Sequence, residues 1–222
     1  MRGLTVVLGI AVGVLALRRQ RDMPDLYGQL ITAGDRLLTA SGMGPDPTQR
    51  SGEHDRHEAI LTAARAELAA RGWHATSMHA VARRAGVPQP EVFRSFPTRQ
   101  VLVLAVLERC FDDIEARLRG AVGGVGSDDP VRAIRVLGQA YHALLDEPEL
   151  LLVQVHGYAA AQDEDVRAVL QRRLRGLIAF VERSSGAHEG LVDTLLAYAM
   201  LLNVAAITDL PEIPARLPWA RS

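Results

Sequence analysis

The chain of 222 residues has one cysteine, Cys110, and no lysine. A single thiol excludes an intrachain disulfide framework and fits a cytoplasmic protein. The 25 basic residues other than histidine are therefore all arginines. The planar guanidinium of arginine pairs with phosphate or guanine better than the ammonium group of lysine does. With a formal net charge of −1, the protein as a whole is not a polycation.

Patterns that signal catalysis or metal binding are also missing. No glycine-rich phosphate loop follows a predicted strand, and His54 and His57 have no partners at zinc-ligand spacing. Cys110 lies in an apolar helical pattern and is expected in the core, while Asp112 and Asp113 fit a solvated face better than a carboxylate pair. We therefore predict no catalytic residue, no metal and no cofactor, and a protein that is not an enzyme.

The charges are unevenly distributed along the chain. Residues 52–100 carry seven arginines against five acidic residues, whereas residues 101–222 carry twelve against seventeen. This asymmetry is expected if only the middle part meets nucleic acid. Apolar residues make up 48% of the chain, which is enough for a sizeable core.

An uncharged apolar run occupies residues 4–17. Its fourteen residues fall short of the roughly 17–25 that usually span a membrane, and no small-residue cleavage site follows it. Three interpretations stay open: an extension upstream of the true start, a weak membrane anchor, or a helix packed on the body of the protein. Residues 25–38 could form a helix, and the turn formers of residues 41–52 predict a linker.

A helix-turn-helix pattern occupies residues 76–96. The preceding helix begins near Asp55 and ends at Gly72, and Trp73 then fills the core between helices. Ser77 or Thr76 can cap the second helix, and Gly86 supplies the tight turn because it adopts positive φ without strain. The predicted inward positions are Val81, Ala82, Val92, Phe93 and Phe96.

These landmarks form a continuous series through residues 54–114: His57-Glu58-Ala59-Ile60-Leu61, Gly72-Trp73, Thr76-Ser77, Val81-Ala82, Ala85-Gly86-Val87, Val92-Phe93, Phe96-Pro97-Thr98-Arg99 and Leu102. In order and spacing the series resembles the DNA-binding domain of the TetR family of bacterial repressors. The resemblance implies an all-α fold of about eight to nine helices. It divides the chain into an extension and linker (1–53), a DNA-binding domain (54–114, with the helix-turn-helix at 77–97) and a regulatory and dimerisation domain (115–222).

The resemblance also implies a function. It predicts a cytoplasmic, nucleoid-associated transcriptional regulator that binds a near-palindromic double-stranded DNA operator as a homodimer. A small-molecule effector of unknown identity would control it, and the usual action would be repression. Two alternatives remain from the residues themselves: a regulator tethered to the membrane through residues 4–17, and a helical interaction protein that does not bind DNA.

Candidate DNA contacts follow from the outward positions of the second helix of the motif. Gln can pair with adenine, Arg with guanine and Glu with cytosine N4, and Pro90 can contact a thymine methyl. Ser77 suits a phosphate at a helix start. The resemblance adds Arg99 as a phosphate ligand and His79 as a base contact, and leaves Phe93 mainly in the core with a minor contact role. The predicted DNA-binding residues are Ser77, His79, Gln89, Pro90, Glu91, Phe93, Arg94, Ser95 and Arg99.

The remaining sequence predicts a bundle of longer helices. The last helix, from Gly190 to about Asp209, is apolar almost all round, so a partner subunit is expected to cover part of it. The predicted dimer interface comprises Leu174, Leu177, Val181, Leu195, Met200 and Leu202. Polar and aromatic side chains among aliphatics could line a ligand pocket, or could equally form a filled core with satisfied hydrogen bonds. They are Tyr141, His142, Gln154, His156 and Tyr158.

Overall fold

Glycine and proline residues divide the apolar periodicity into separate helices. The computed structural model describes residues 47–123, 129–210 and 212. These contain eight α-helices, one 3₁₀ turn and no β-strand, which confirms the all-α prediction. The helices are α1 (Pro47–Arg71), α2 (Met78–Ala85), α3 (Gln89–Ser95), α4 (Arg99–Val122), α5 (Pro130–His142), α6 (Pro148–Ala159), α7 (Glu164–Ser185) and α8 (Glu189–Thr208), with the 3₁₀ turn at Ala143–Asp146. We call α1–α3 the head, α4 the linker helix and α5–α8 the body.

The first helix is longer than predicted. It begins at Pro47 rather than near Asp55, so the linker prediction is wrong for residues 47–52. A proline is tolerated in the first turn because its missing N–H would have no partner inside the helix. The helix ends as predicted: Gly72 has φ of 80° and donates its N–H to the Leu68 carbonyl at 2.8 Å. The predictions for residues 4–17 and 25–38 lie outside the described residues.

The linker helix α4 follows a strong start signal. The Thr98 side chain accepts a hydrogen bond from the Val101 N–H at 3.2 Å. Val101 in the first turn does not belong to the buried face of α4, since its side chain is 39% exposed. The buried face starts one residue later and comprises Leu102, Val103, Val106, Leu107, Cys110, Phe111, Ile114, Leu118 and Val122.

The body helices begin and end at local signals that the sequence carries. Asp129 caps α5 by accepting from the Arg132 N–H at 3.0 Å, and Pro148 opens α6. Asp163 caps α7 through the Asp165 N–H at 2.9 Å. Gly186 ends α7 with φ of 62°. Aspartate caps and a first-turn proline therefore set the starts of these three helices.

One buried cluster of side chains runs through the head, the linker helix and the body. The helices α6 and α4 pack closely at Gly157 of α6, where an added Cβ would lie 2.9 Å from Leu107 Cδ1 of α4. Charged contacts join α4 to α7 as well: Glu108 pairs with Arg172 and Arg173, and Asp112 pairs with Arg173 at 2.7 Å. Cys110 donates its thiol to the Leu150 carbonyl at 3.1 Å, and burial raises the pKa of that thiol to about 12.

The final helix α8 has two apolar sides. One packs on the protomer's own core through Leu195, Tyr198 and Leu202, and the other is open. The exposed side carries Met200, Leu201, Val204 and Ile207, each 41–48% accessible. Within the described part of the chain, α8 is the one helix long and apolar enough to cross a membrane by length and composition, with mean hydropathy 1.8.

Candidate nucleic-acid interface

The second helix of the motif is oriented by a sharply defined turn. Ser77 accepts a hydrogen bond from the Ala80 N–H at 3.4 Å and so caps α2 as predicted. Gly86 takes φ of 68° and ψ of 25°, and Val87 donates its N–H to the Ala82 carbonyl at 3.1 Å. Because a glycine adopts this left-handed conformation without strain, the chain reverses within a few residues and α3 starts at a fixed angle.

The helix α3 buries very little and exposes most of its side chains. Val92 is fully buried, and Phe96 just beyond the helix is 3% exposed. With these two anchors four residues apart, the opposite side of the helix faces outward. The predicted contact residues on it are largely exposed: Gln89, Pro90, Phe93, Arg94 and Ser95, with Glu91 half-buried.

The expected core position of Phe93 is wrong, because its side chain is 43% exposed. Val92 forms the buried side of this seven-residue helix and Phe96 just beyond its end continues it, whereas Phe93 lies about 100° round the helix from Val92. The aromatic ring therefore belongs to the outward surface beside Arg94. An apolar ring in this place can contact a thymine methyl or the sugar backbone.

Arg99 lies at the first position of α4, four residues after the end of α3. Its guanidinium donates a hydrogen bond to the Trp73 carbonyl, which ties the start of α4 to the loop before α2. Trp73 itself is buried, as the sequence predicts. A guanidinium has five N–H donors, so this contact leaves others for a phosphate.

Two predicted contact residues are held by other helices of the head. The Gln89 Oε1 lies 3.4 Å from the Nδ1 of His79, which is exposed on α2. The Glu91 carboxylate lies 3.8 Å from a guanidinium nitrogen of Arg56 on α1. Within the described chain, no ion pair or hydrogen bond restrains the Arg94 side chain. Sequence reasoning missed Arg56, and no local motif could have indicated it because its partner is 35 residues away.

A buried carboxylate joins the first two helices of the head. Glu67 is 4% exposed and accepts a hydrogen bond from Arg84 Nε at 3.1 Å, while Arg71 Nε lies 3.0 Å from its other oxygen. A buried charge is tolerated only when it is paired. The contact therefore fixes α2 on α1 from behind the outward surface.

Several polar contacts join the head to the linker helix and the body. His156 of α6 lies 3.2 Å from the Ala69 carbonyl in the last turn of α1. The Gln100 amide at the start of α4 donates to Asp163 at 3.0 Å. Arg65 of α1 lies 3.5 Å from Asp113 and 3.4 Å from Glu149. The head, the linker helix and the body are thus joined by short polar contacts.

The residues predicted for a ligand pocket fall into two groups. Tyr141, Gln154 and Tyr158 share one network, in which Gln154 donates to Tyr141 at 3.0 Å and accepts from Tyr158 at 3.0 Å. Asn203, which the sequence did not indicate, joins this network as an acceptor from Tyr141 at 3.2 Å. Burial raises the pKa of both tyrosines, so both are neutral hydrogen-bonding groups.

The two predicted pocket histidines lie elsewhere. His142 Nδ1 is 2.6 Å from the Tyr198 hydroxyl, and His156 contacts the head. The amide nitrogen of Asn203 is buried without a hydrogen-bond partner within the described residues. The network therefore has one unused donor in the middle of the body.

The predicted dimer residues are also divided. Val181, Leu195 and Leu202 are buried in the protomer's own core, so they cannot form an intersubunit surface in this arrangement. Leu174 and Leu177 are half-buried, and Met200 is exposed. The apolar residues open to a partner on α8 are Leu201, Val204 and Ile207 as well as Met200. No cluster of three potential metal ligands occurs in the part of the chain that the structure describes.

A short capped helix, a glycine turn and an outward-facing second helix define a helix-turn-helix protein. Residues 60–106 match the family model described as "Bacterial regulatory proteins, tetR family". The match covers the second half of α1, the helices α2 and α3 and the first part of the linker helix, so it is this region of the chain that matches the TetR family.

Similar proteins extend this result to the fold of the body. The transcriptional repressor KstR of Rhodococcus jostii (strain RHA1) is 27% identical over 142 residues, which cover 61% of this chain and 65% of KstR. A TetR-family member from Streptomyces coelicolor A3 superimposes with a TM-score of 0.59 at 22% identity, covering 70% of this chain and 90% of that one. AibR, solved with isovaleryl coenzyme A and operator DNA, gives 0.57 at 17% identity, covering 68% and 86%. The match thus spans just under two thirds of KstR, and the two structural likenesses show the fold.

Proposed function

We propose that this chain is a sequence-specific DNA-binding transcriptional regulator of the helix-turn-helix type. The observation that carries the proposal is the outward surface of α3. Val92 and Phe96 bury the helix, while Gln89, Arg94 and their neighbours face away from the protein. A short helix presented in this way fits the major groove of B-form DNA.

Base reading in this proposal rests on three side chains of different chemistry. Gln89 pairs with adenine, Arg94 with guanine O6 and N7, and Glu91 accepts from cytosine N4. Pro90 and Phe93 add apolar contact, and Ser95 lies at the end of the same surface. A base pair read by one of these groups and changed to the wrong one should cost about 1–3 kcal/mol.

Phosphate contacts would flank the base-reading helix. Ser77 and the first N–H groups of α2 can bind one phosphate, and Arg99 another. His79 lies between them on α2 and reaches either a phosphate or a base edge. The domain boundaries proposed are 54–114 for DNA binding and 115–222 for regulation and dimerisation, preceded by 1–53.

The test is selection of a preferred duplex from a randomised library by the purified full chain, followed by affinity measurements on that duplex. Gln89→Ala with Arg94→Ala should abolish the preference. Arg99→Ala should weaken binding to all sequences and reduce the salt slope by about one. Arg135→Ala, which removes an exposed arginine of the body, is the control and should leave both unchanged. A preference that survives the double substitution would refute the contact assignment.

We further propose a homodimer built on α7 and α8. The open apolar side of α8, with Met200, Leu201, Val204 and Ile207, supports it. A soluble monomer rarely exposes a continuous apolar strip of this kind. Leu174 and Leu177 of α7 are kept as interface residues, because both remain partly accessible. Two α3 helices one turn of DNA apart would then read the halves of a near-palindromic operator.

The regulatory part of the proposal is a ligand-responsive repressor that works in the cytoplasm. KstR is named a repressor, and AibR was solved with both a small molecule and operator DNA, which supports this choice. The network of Tyr141, Gln154, Tyr158 and Asn203 is the proposed ligand site. Its buried donor without a partner would bind an acceptor atom of the effector.

Ligand control would act as a population shift. A ligand that binds better to the state with the wrong spacing of the two α3 helices lowers DNA affinity by the ratio of its two binding constants. The contact between His156 and α1 provides a short route from α6 to the head. Expression of a reporter behind the selected duplex should rise when the gene for this chain is deleted; a fall would identify an activator instead.

A further inference from the structure

The short recognition helix is held from outside by the N-terminal half of α1. The His57 ring stacks on Phe96 with centroids 4.7 Å apart and planes at 28°. The next residue, Glu58, accepts a hydrogen bond from Arg109 Nη1 of α4 at 2.9 Å. Because successive residues of α1 contact the end of α3 and the linker helix, the register of α1 against α3 is fixed.

Arg56 precedes this anchored pair and faces Glu91 in the first turn of α3. A guanidinium nitrogen of Arg56 lies 3.8 Å from Glu91 Oε2. The Arg56 side chain is 49% exposed and that of Glu91 26%, so the pair is partly open to solvent beside the outward side of α3. An exposed pair of this kind contributes little to folding.

The pair becomes important when DNA arrives. Glu91 brings a negative charge close to phosphates, and loss of water on binding strengthens that repulsion. A cation beside the carboxylate cancels most of it and also restricts the directions in which the carboxylate can point. Charge pairs that are desolvated on association affect affinity and specificity much more than the same pairs in water.

We propose that Arg56 is a positioning residue that sets the base preference of Glu91. It holds the carboxylate towards the floor of the groove and neutralises it against the phosphates, so that Glu91 discriminates between bases without weakening the complex. The inference rests on the DNA-binding function proposed above. It assigns a specificity role to α1, a helix that contributes no residue to the helix-turn-helix itself.

A double-mutant cycle on the full chain tests this. The proteins are the wild type, Arg56→Gln, Glu91→Gln and the double variant. Arg83→Gln, which removes an exposed arginine of α2 with no ion pair to α3 in the described structure, is the matched control. Affinity is measured on the selected duplex by fluorescence anisotropy, and base preference is measured on single-position variants of that duplex.

Arg56→Gln should weaken binding about tenfold more than Arg83→Gln and should flatten the preference at the base pair that Glu91 reads. In the Glu91→Gln background the same substitution should cost less than about twofold, because no carboxylate remains to be neutralised. Circular dichroism melts should be nearly unchanged for all variants, since a partly exposed ion pair contributes little to stability.

Equal losses from Arg56→Gln in both backgrounds, with an unchanged preference profile, would overturn the inference and make Arg56 an ordinary phosphate contact. A wild-type chain that selects no sequence would overturn the proposed function as well. The two failures are thus distinguished by the wild-type selection alone.

Discussion

The head exposes polar side chains on a very short helix, whereas the body exposes apolar side chains on a long one. In the head, Val92 and Phe96 bury α3 and leave Gln89 and Arg94 outside. In the body, Leu195 and Leu202 bury α8 and leave Leu201 and Val204 outside. The buried polar groups of the two regions differ as well. The body buries a network of neutral side chains, whereas the head buries the charged carboxylate of Glu67, which is paired with arginines. The two surfaces therefore differ in chemistry, and in the proposed function the first would meet DNA and the second an apolar helix of a second copy.

The largest expected effect on stability comes from the buried side of α8, and the exposed side should affect dimer formation instead. Leu202→Ala removes a fully buried side chain and should destabilise the protein by about 2–5 kcal/mol, measured by denaturant unfolding. Leu201→Asp, on the neighbouring exposed residue, should not disrupt the protomer core but should convert a dimer to a monomer in light scattering. If Leu201→Asp leaves the mass unchanged, the proposed interface is wrong.

The contribution of the buried polar network of the body to stability can be tested by removing the Tyr141 hydroxyl. Tyr141→Phe removes the group that binds both Gln154 and Asn203, and leaves their buried polar atoms with fewer partners. We expect a loss of about 1–3 kcal/mol in the free energy of unfolding. His79→Phe, on the exposed surface of the head, serves as the comparison and should change stability by less than about 0.5 kcal/mol.

Alkaline pH should weaken the contact between the linker helix and the body. The Cys110 pKa is raised from 9.0 to about 12 by burial, so the unfolded chain releases a proton that the folded chain keeps. Stability is complete below pH 9 and falls above it, by at most about 1.4 kcal/mol per pH unit from this group. Cys110→Ala should remove this slope between pH 9 and 10. An identical slope in the variant would assign it to other groups.

Two glycines in the left-handed conformation, one in the head and one in the body, allow the same substitution to be compared in both regions. Gly86 in the head and Gly186 in the body have φ of 68° and 62°. Replacing either by alanine should cost about 1 kcal/mol of stability, because a Cβ disfavours this conformation. Only Gly86→Ala should also weaken DNA binding, since it tilts α3. Equal effects on DNA binding would remove the distinction between the two turns.

Acidic pH should affect the head by a small amount. Burial against its neighbours lowers the His57 pKa, so the unfolded chain binds a proton more readily than the folded one below its ordinary value of 6.5. The stability contributed by the neutral ring is present above that pH and is lost as pH falls. His57→Phe keeps the stacking on Phe96 and should flatten the acid limb of the unfolding curve between pH 6.5 and 5.

Local signals made the head and the helix ends predictable. Ser77, Gly86, Asp163 and Gly186 act within four residues of their own position, through a cap or a left-handed turn. Their chemistry requires no knowledge of distant contacts. Phe93 was the exception in the head, because hydrophobicity alone does not say which aromatic of a short helix meets the core.

Distant contacts made the rest unpredictable. The apolar residues of α8 look alike in sequence, and only packing against α5 and α6 separates buried Leu202 from exposed Leu201. Asn203 and Arg56 were missed for the same reason, since their partners come from other helices. The early start of α1 was missed because proline and glycine were taken as turn formers. A proline fits the first turn of a helix, where the N–H group that it lacks would have no partner inside the helix.

The absent side chain of Gly157 has a mechanical consequence. With no Cβ between them, α6 and the Leu107 side chain of α4 meet directly, and no space is left there for a larger side chain. Gln154 in the buried network lies on the same helix, one turn from that joint. In the proposed regulation, a displacement of α6 would therefore press on Leu107, and this contact would be one route by which a change in the body reaches the linker helix and the head.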